Sequence, residues 1–321
     1  MNDLETRQLR YFVAVAEELH FGRAAERLGM AQPPLSRAIR ELERQLAVGL
    51  LRRTTRQVSL TPAGEVLLRD ARTALDAIGA AGRRAQHAGE STPRLRLALK
   101  PDIDGGLLPQ ILDAYAAEEA ALPVSLVLGR VGEQAQTVRD GRADTALLLA
   151  PFDDRGLDSE PLAVEPFLVA LAAADPLAAR PSLSLADLAG RSLPDGSPAD
   201  QGPALGPHGQ QGDPADDETT LSDGSDGAAP IASDLPQIFR LVELGSIVCF
   251  FPTSLTRRYP RPEIAYRPVI DLSPATLAVA WPQDSHAPAV AAFVRVATKV
   301  AATAPPEAAA DQRESAKRMV P

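Results

Sequence analysis

The stretch FGRAAERLGMAQPPLSRAIRELER, residues 21–44, predicts two short helices joined by a tight turn. Apolar residues recur at helical spacing in its first half, and Gly29 interrupts the pattern before a second apolar series begins. That series consists of Leu35, Ile39, Leu42 and Leu46. At about 100° per residue, Arg37, Arg40 and Arg44 project roughly opposite this stripe. The second helix therefore buries one edge and offers guanidinium groups on the other.

The N-terminal end of this second helix carries side chains that can read DNA bases. The helix is predicted to begin near Gln32, because Pro33 and Pro34 suit a first turn whose amides have no intrahelical acceptor. Gln32, Ser36 and Arg37 would then lie at the end that meets base edges when a helix-turn-helix docks in the major groove. The alternative is an ordinary amphipathic helix with a solvated basic face.

Six motifs cover most of residues 5–64, and they are Arg7–Phe12, Glu18–Phe21, Arg23–Leu28, Gln32–Ser36, Ile39–Glu43 and Leu60–Gly64. In composition and spacing they resemble the N-terminal domain of LysR-type transcriptional regulators. The departures are small: Ala31 stands where the family usually has Ser or Thr, and Leu51 where it often has Phe. The resemblance implies a winged helix-turn-helix DNA-binding domain over residues 1–61.

A small wing is predicted after the second helix. Residues 50–53 and 57–60 are short extended candidates on either side of a turn, and Arg53, Thr54 and Arg56 would approach phosphates. The alternative is a solvated loop. The full predicted DNA-contacting set is Arg23, Gln32, Pro33, Pro34, Ser36, Arg37, Arg40, Arg53, Thr54 and Arg56.

A linker helix is predicted over residues 62–90. Thr61 and Pro62 form a strong helix start, with a capping hydroxyl followed by proline. A heptad-like series follows, made of Leu68, Ala71, Leu75, Ile78, Gly82 and Ala85. We expect this seam to pair with its twin in a homodimer, as the resemblance also implies. The rival interpretation is a face that packs within the chain.

Charge and cysteine content restrict the class of protein. The net charge is −9, yet residues 20–60 hold eight arginines against three glutamates, so only this segment attracts a polyanion. The single cysteine, Cys249, excludes a disulfide scaffold within the chain and is expected to be a buried small hydrophobe. The N-terminus shows no apolar signal region and no apolar run is long enough to cross a bilayer, so a cytoplasmic protein is expected.

Strand and helix patterns alternate after Pro93. Strands are predicted at 94–99, 124–128, 144–149, 167–171, 246–251, 263–269 and 276–281, and helices at 107–119, 133–139 and 288–302. Such alternation implies a parallel sheet. Further motifs, among them Arg139–Gly141, Glu160–Leu162 and Glu243–Gly245, resemble the LysR effector-binding domain. The resemblance implies two α/β lobes over residues 91–302, similar to periplasmic solute-binding proteins.

Two segments fit no regular pattern. Residues 192–230 are dense in Gly, Pro and Asp, and we expect a long irregular surface segment there, which weakens any ligand contact usually supplied from this region. Residues 303–321 form a polar, Ala-rich tail that is expected to be flexible.

A candidate effector site follows the first strand of the second domain. In two-lobed α/β domains, ligands bind beyond the carboxyl ends of strands. The loop here has Lys100 and two acids where the family commonly has Ser or Thr, which makes a plain carboxylate effector less secure. The alternative is a surface pair between Lys100 and Asp102. The predicted cleft residues are Lys100, Asp102, Ile103, Leu149, Ala150 and Phe251.

Enzyme signatures are missing from the sequence. There is no Gly-rich phosphate loop, GxSxG, HExxH or CxxC motif, and no cofactor or metal is expected. The sequence therefore predicts a bacterial regulator that binds double-stranded promoter DNA as a homodimer or homotetramer and responds to a small-molecule effector, with RNA polymerase as a possible partner. A solute-binding or transport component is the rival function.

Overall fold

The computed structural model describes residues 4–53, 58–203 and 234–303. The chain divides into two compact units. The first comprises the residues up to Glu90 together with Arg139–Gly141, and the second comprises the rest.

The first unit is a winged helix-turn-helix followed by a long helix. Its elements are α1 (Thr6–Glu18), α2 (Phe21–Arg27), α3 (Gln32–Leu46), β1 (Leu51–Arg53), β2 (Val58–Leu60) and α4 (Pro62–Ala88). The His20 side chain accepts hydrogen bonds from the amides of Gly22 and Arg23, so it caps the start of α2. Leu19 ends α1 in the left-handed conformation, with φ of 46°, which turns the chain sharply into α2.

The core of this unit is built from the apolar stripes of its helices. Phe12, Leu35, Ile39 and Leu42 are fully buried, and the wing residue Leu50 joins the same cluster. The stripe predicted for α3 is therefore the face that packs inward, with Leu46 at its half-buried end. Burial of this edge leaves the opposite side of α3 in solvent.

Side-chain hydrogen bonds tie α4 to the small helices and to the loop that follows α3. Arg72 of α4 donates from Nε and Nη2 to the Glu17 carboxylate of α1 at 2.9 and 2.7 Å, and Arg27 of α2 donates to the same carboxylate at 2.8 Å. At the start of α4, the Thr61 hydroxyl accepts from the Gly64 amide and donates to the Gly49 carbonyl. Three helices thus share one carboxylate, which fixes their mutual angles.

The second unit contains two sheets, and the larger one forms the first lobe. Its elements are β3 (Leu95–Leu99), α5 (Leu108–Ala116), β4 (Val124–Leu128), α6 (Glu133–Arg139), β5 (Thr145–Ala150), β6 (Leu157–Glu165), β10 (Ala275–Pro282) and α9 (Pro288–Thr303). The strand order is β4-β3-β5-β10-β6. Helices α5 and α9 cover one face, where Tyr115 and Phe293 meet edge to face, and α6 packs on the other.

The smaller sheet, with strand order β8-β7-β9, forms the second lobe. Its elements are β7 (Phe167–Ala172), α7 (Leu235–Glu243), β8 (Cys249–Pro252), α8 (Thr253–Arg258) and β9 (Ile264–Pro268). Short 3-10 helices at Pro176–Ala179, Leu185–Leu188 and Ala199–Gln201 cover the face opposite α7. The chain passes from the first lobe to the second at Pro166 and returns between β9 and β10.

The expectation of a parallel sheet was wrong in part. Strand β3 pairs in parallel with β4 and β5, but β10 returns from the second lobe and pairs antiparallel with β5 and β6. Strand β6 was not predicted at all, and β8 begins at Cys249, three residues later than expected.

The prediction of irregular structure over 192–230 falls largely on residues outside the described ranges, as does most of the predicted tail. The described residues 192–203 include a β-bridge between Ser192 and Pro198.

Candidate DNA-binding surface and effector site

The recognition helix α3 presents one polar face to solvent. Gln32, Pro33, Pro34, Arg37 and Arg40 are all exposed, whereas Ser36 is half-buried and its carbonyl accepts a hydrogen bond from Arg40 Nε at 3.2 Å. Ala31 is the residue before the helix, and its side chain supplies no cap. Pro33 and Pro34 have no amide hydrogen, so within the first turn only the Gln32 amide is available to an outside acceptor such as a phosphate oxygen.

The arginines of this domain differ in how many hydrogen bonds and ion pairs they already form within the protein. Arg44 is ion-paired with Glu41 on the same helix, and this hydrogen bond raises the pKa of Arg44 and lowers that of Glu41. Arg23 donates to the Glu18 carboxylate at 3.2 Å and to the Glu18 carbonyl at 2.7 Å. Because a guanidinium carries five donors, Arg23 keeps some for another acceptor.

The wing is anchored to α3 by a residue that the sequence analysis did not single out. The Glu43 carboxylate accepts from the amides of Leu50 at 2.9 Å and Leu51 at 3.1 Å, so α3 and β1 share a fixed spacing. The only feature of the sequence that sets Glu43 apart is its negative charge on a helix whose other charged side chains are mostly arginines. Of the predicted phosphate contacts, Thr54 and Arg56 lie outside the described residues, and Arg53 is described only as the last residue of β1.

The predicted seam of α4 divides into two parts. Leu68 packs against the core of the small helices and Ala71 is buried, so the first part faces its own domain. Ile78 is 47% exposed, and Gly82 and Ala85 are exposed as well. The second part is therefore the portion with a free apolar surface.

The effector loop, defined as residues 100–106, joins β3 to α5. Lys100 is half-buried and, among the described residues, has no ion-pair partner. Asp102, Gly105 and Gly106 all have positive φ angles, so the loop is tightly folded. Asp104 is buried and accepts a hydrogen bond from the Gly106 amide at 3.1 Å.

Both acids of this loop are paired with the end of α8 in the second lobe. Arg258 donates to the two oxygens of Asp104 at 2.9 and 3.2 Å, and the Tyr259 hydroxyl donates to Asp102. This hydrogen bond to Asp102 raises the pKa of Tyr259. A surface pair of Lys100 with Asp102 is thus replaced by contacts across the two lobes, and neither Arg258 nor Tyr259 was anticipated from the sequence.

The apolar members of the predicted site lie near the same junction. Ile103 packs against the second-lobe cluster that contains Phe251, and the ring of Phe251 lies 5.4 Å from that of Phe239. Leu149 packs against core clusters of both lobes. Ala150 is half-buried and ends β5, where it is paired with Thr276 of β10.

A second cross-lobe contact involves a carboxylate that the sequence analysis missed. Glu165 ends β6, is 3% exposed, and accepts from the Ser254 amide at 2.6 Å and the Ser254 hydroxyl at 2.9 Å. It lies beside the point where the chain enters the second lobe. Its charge was visible in the sequence, but its partner is 89 residues away.

Cys249 lies in β8 and is buried. Burial raises the pKa of its thiol to about 12. Because the thiolate is the reactive form, the structure assigns this cysteine a packing role.

Within the described ranges, no group of three or more His, Cys, Asp or Glu side chains could hold a metal ion. Among those same residues, no helix has the length and hydropathy needed to cross a membrane.

Known proteins match both halves of the chain. The family described as "Bacterial regulatory helix-turn-helix protein, lysR family" matches residues 6–65, and "LysR substrate binding domain" matches residues 88–302. The Hca operon transcriptional activator HcaR of Escherichia coli (strain K12) is 30% identical over 294 residues, covering 91% of this chain and 97% of HcaR. The regulator AlsR of Bacillus subtilis (strain 168) is 37% identical over 186 residues, covering 58% of this chain and 62% of AlsR.

Among solved structures, full-length CbnR complexed with its target DNA is 25% identical, with a TM-score of 0.46 and coverage of 93% of this chain and 100% of CbnR. The rival reading as a transport component is set aside, because the matched N-terminal family is a DNA-binding one and these relatives are regulators. The chain belongs to the LysR family, and it is a DNA-binding transcriptional regulator with a C-terminal effector-binding domain.

Proposed function

We propose that α3 reads base edges of double-stranded promoter DNA while the wing and Arg23 hold the phosphate backbone. The observation that carries this proposal is the division of α3 into a buried stripe and an exposed face with Gln32, Arg37 and Arg40. Arginine and glutamine make the bidentate contacts to guanine and adenine that discriminate bases in the major groove. Pro33, Pro34 and Ser36 would contact the bases or adjacent backbone, and Arg53, Thr54 and Arg56 the phosphates.

Genome-wide mapping of bound sites in the host tests this function. We expect enrichment of promoter regions that share one inverted-repeat motif, because a symmetric dimer presents two copies of α3. Binding spread over the genome without a shared motif would contradict sequence-specific regulation.

A homodimer or homotetramer is proposed to assemble through α4. The exposed apolar part of the seam, centred on Ile78, offers a surface that a second copy would cover. Leu68 and Ala71 are already used within the domain, so the pairing surface is shorter than the full series of residues 68–85.

Replacing Ile78 with aspartate should shift the assembly toward monomers. The change would place an unpaired carboxylate in the seam, and burying such a charge is costly. Sedimentation velocity of the full chain, at a concentration where wild type is fully assembled, measures the shift. The control is Ala77→Asp, an exposed position of the same helix that points away from the seam. The same assembly for wild type and Ile78→Asp would contradict the seam.

A small-molecule effector is proposed to bind at the junction of the two lobes. Lys100, Asp102 and Ile103 of the effector loop, with Leu149, Ala150 and Phe251, would line that site. Lys100 is the group that would attract an anionic part of the effector, since its charge is not neutralised by a described neighbour. The other residues that line the site would determine which anionic compound binds.

Substitution of Lys100 by methionine should remove the response to anionic effectors and leave effector-free DNA binding intact. A ligand that binds only the folded state raises its melting temperature, so a library of small metabolites can be screened by thermal shift on wild type and variant. Compounds that stabilise wild type should lose most of their effect on Lys100→Met. Equal shifts for both proteins would exclude this lysine from the site.

The remaining aspects of the function follow from this assignment. A DNA-binding regulator acts in the cytoplasm, where the chromosome is, and RNA polymerase is the partner through which an activator would work. No catalytic step is proposed, because neither the sequence motifs nor the described polar clusters form a nucleophile with its base.

A further inference from the structure

Four polar side chains join the effector loop to the C-terminal end of α8, and we call them the Arg258 clamp: Asp102, Asp104, Arg258 and Tyr259. Asp104 is 4% exposed. Its two oxygens both accept from Arg258 Nη2, and one of them also accepts from the Gly106 amide. Leaving a carboxylate buried to this degree without a partner would be costly.

The second half of the clamp is centred on Asp102. Its carboxylate accepts from the Tyr259 hydroxyl and lies 3.6 Å from Arg258 Nη1. The ring of Tyr259 is itself held, since its centroid lies 6.0 Å from that of Phe239 in the second-lobe core. Asp102 has a φ of 69°, in the left-handed region that few side-chain-bearing residues adopt and that Asp adopts more readily than most.

An apolar contact lies between the two charged ones. Ile103 is flanked by Asp102 and Asp104, and it packs against a second-lobe cluster that includes residues of α7, β8 and α8. The loop is thus attached to the second lobe at three consecutive residues, although it belongs to the first lobe by chain connectivity. Such a contact fixes the loop only while the two lobes stay together.

We propose that Arg258 and Tyr259 are positioning residues of the effector site, which hold the effector loop against the second lobe before any effector binds. The role of the loop in binding rests on the function proposed above, but the clamp itself does not. The charge of Arg258 is taken up by Asp104, and releasing it would leave a buried carboxylate unpaired. An anionic effector would therefore meet the charge of Lys100 and not that of Arg258.

Hydrogen–deuterium exchange of the full chain, without DNA or added small molecules, tests the clamp. In Arg258→Gln, the amides of residues 100–106 should exchange about tenfold faster or more, because the loop then opens locally. Arg258→Lys keeps the charge and should restore much of the protection. The matched control is Arg295→Gln, which removes a 2.7 Å ion pair with Glu118 that lies within the first lobe and is more exposed. It should leave loop exchange unchanged.

Faster exchange throughout α9 would reveal that Arg258→Gln unfolds the domain. Two further variants keep the test decisive in that case. Tyr259→Phe removes one hydroxyl and should accelerate loop exchange while α9 stays protected. Combining Asp104→Asn with Arg258→Gln should accelerate loop exchange no more than Arg258→Gln alone, because the double variant no longer leaves the buried Asp104 carboxylate unpaired. Loop exchange within twofold of wild type in Arg258→Gln and Tyr259→Phe, or independent effects in the double variant, would overturn the clamp. Failure of the effector proposal alone would leave all these results as expected.

Discussion

Replacing Gly64 with alanine should destabilise the DNA-binding domain by about 3 kcal/mol or more. A Cβ atom at this position would lie 2.1 Å from the carbonyl oxygen of Leu50 and 2.9 Å from the Leu60 side chain. The closest atom belongs to the backbone. The same Leu50 carbonyl accepts hydrogen bonds from the Thr61 amide at 2.9 Å and from the Thr61 hydroxyl at 3.2 Å. The Leu50 carbonyl cannot move away without breaking its hydrogen bonds to Thr61, the residue that caps α4. The clash must therefore be relieved by separating α4 from the wing.

Amide exchange in α1 and α3 measures this effect, because it reports the opening of this domain independently of the second one. The matched control is Gly79→Ala in the same helix, where the nearest atom to the new Cβ is the flexible end of Arg83 at 3.5 Å. The control should be stabilised by up to about 1 kcal/mol, as alanine is the better helix former. Equal protection in wild type and Gly64→Ala would show that the wing does not need this close approach.

The helices of the N-terminal domain could be predicted because local pattern decides them. Helix α3 was expected to begin near Gln32 and to bury Leu35, Ile39 and Leu42, and both expectations are met. Proline at the start and an apolar stripe of period 3.6 act within one helix, so no distant information is needed. The same holds for α4, which starts after the Thr61 cap.

The sheet of the first lobe was harder to predict, because its composition hides one strand and its pairing is not local. Strand β6, LDSEPLAVE, lies at a sheet edge with a charged, solvated face and a proline, so it lacks the apolar run of a buried strand. Strand β10 is antiparallel to β5 and β6 because the chain re-enters the first lobe only after forming the second one. The alternation of apolar residues along a strand does not indicate the direction in which that strand will pair.

The effector loop shows the same division between local and distant contacts. Asp104 accepts a local hydrogen bond from the Gly106 amide, two residues along the chain. Its stronger partner, Arg258, is 154 residues away in sequence and belongs to another lobe. Lys100 and Asp102 are close in sequence, which made a local pair the alternative to a shared effector site, but the fold brings the Tyr259 hydroxyl to Asp102. No local feature of the sequence connects Arg258 with Asp104 or Tyr259 with Asp102.

Replacing Arg37 with alanine should weaken binding to a specific site by about 1–3 kcal/mol and relax the base preference at one position in each half-site. Arg37 is exposed near the N-terminal end of α3, two residues beyond the buried Leu35. No described residue pairs with its guanidinium, so both of its forked donors can meet guanine. Arg44 is exposed and already ion-paired with Glu41, so Arg44→Ala is the matched control and should change the affinity for the specific site much less than Arg37→Ala does.

The most direct measurement of the central claim compares the affinities of wild type and Arg37→Ala for a mapped promoter site and for random duplex at the same salt concentration. If α3 reads bases, the variant should lose about 5- to 150-fold on the promoter site and only about two- to threefold on random DNA, where phosphate contacts dominate. The ratio of the two affinities should therefore fall. An equal loss on both duplexes, with the ratio preserved, would show that Arg37 contacts the backbone alone and would contradict base reading by this face of α3.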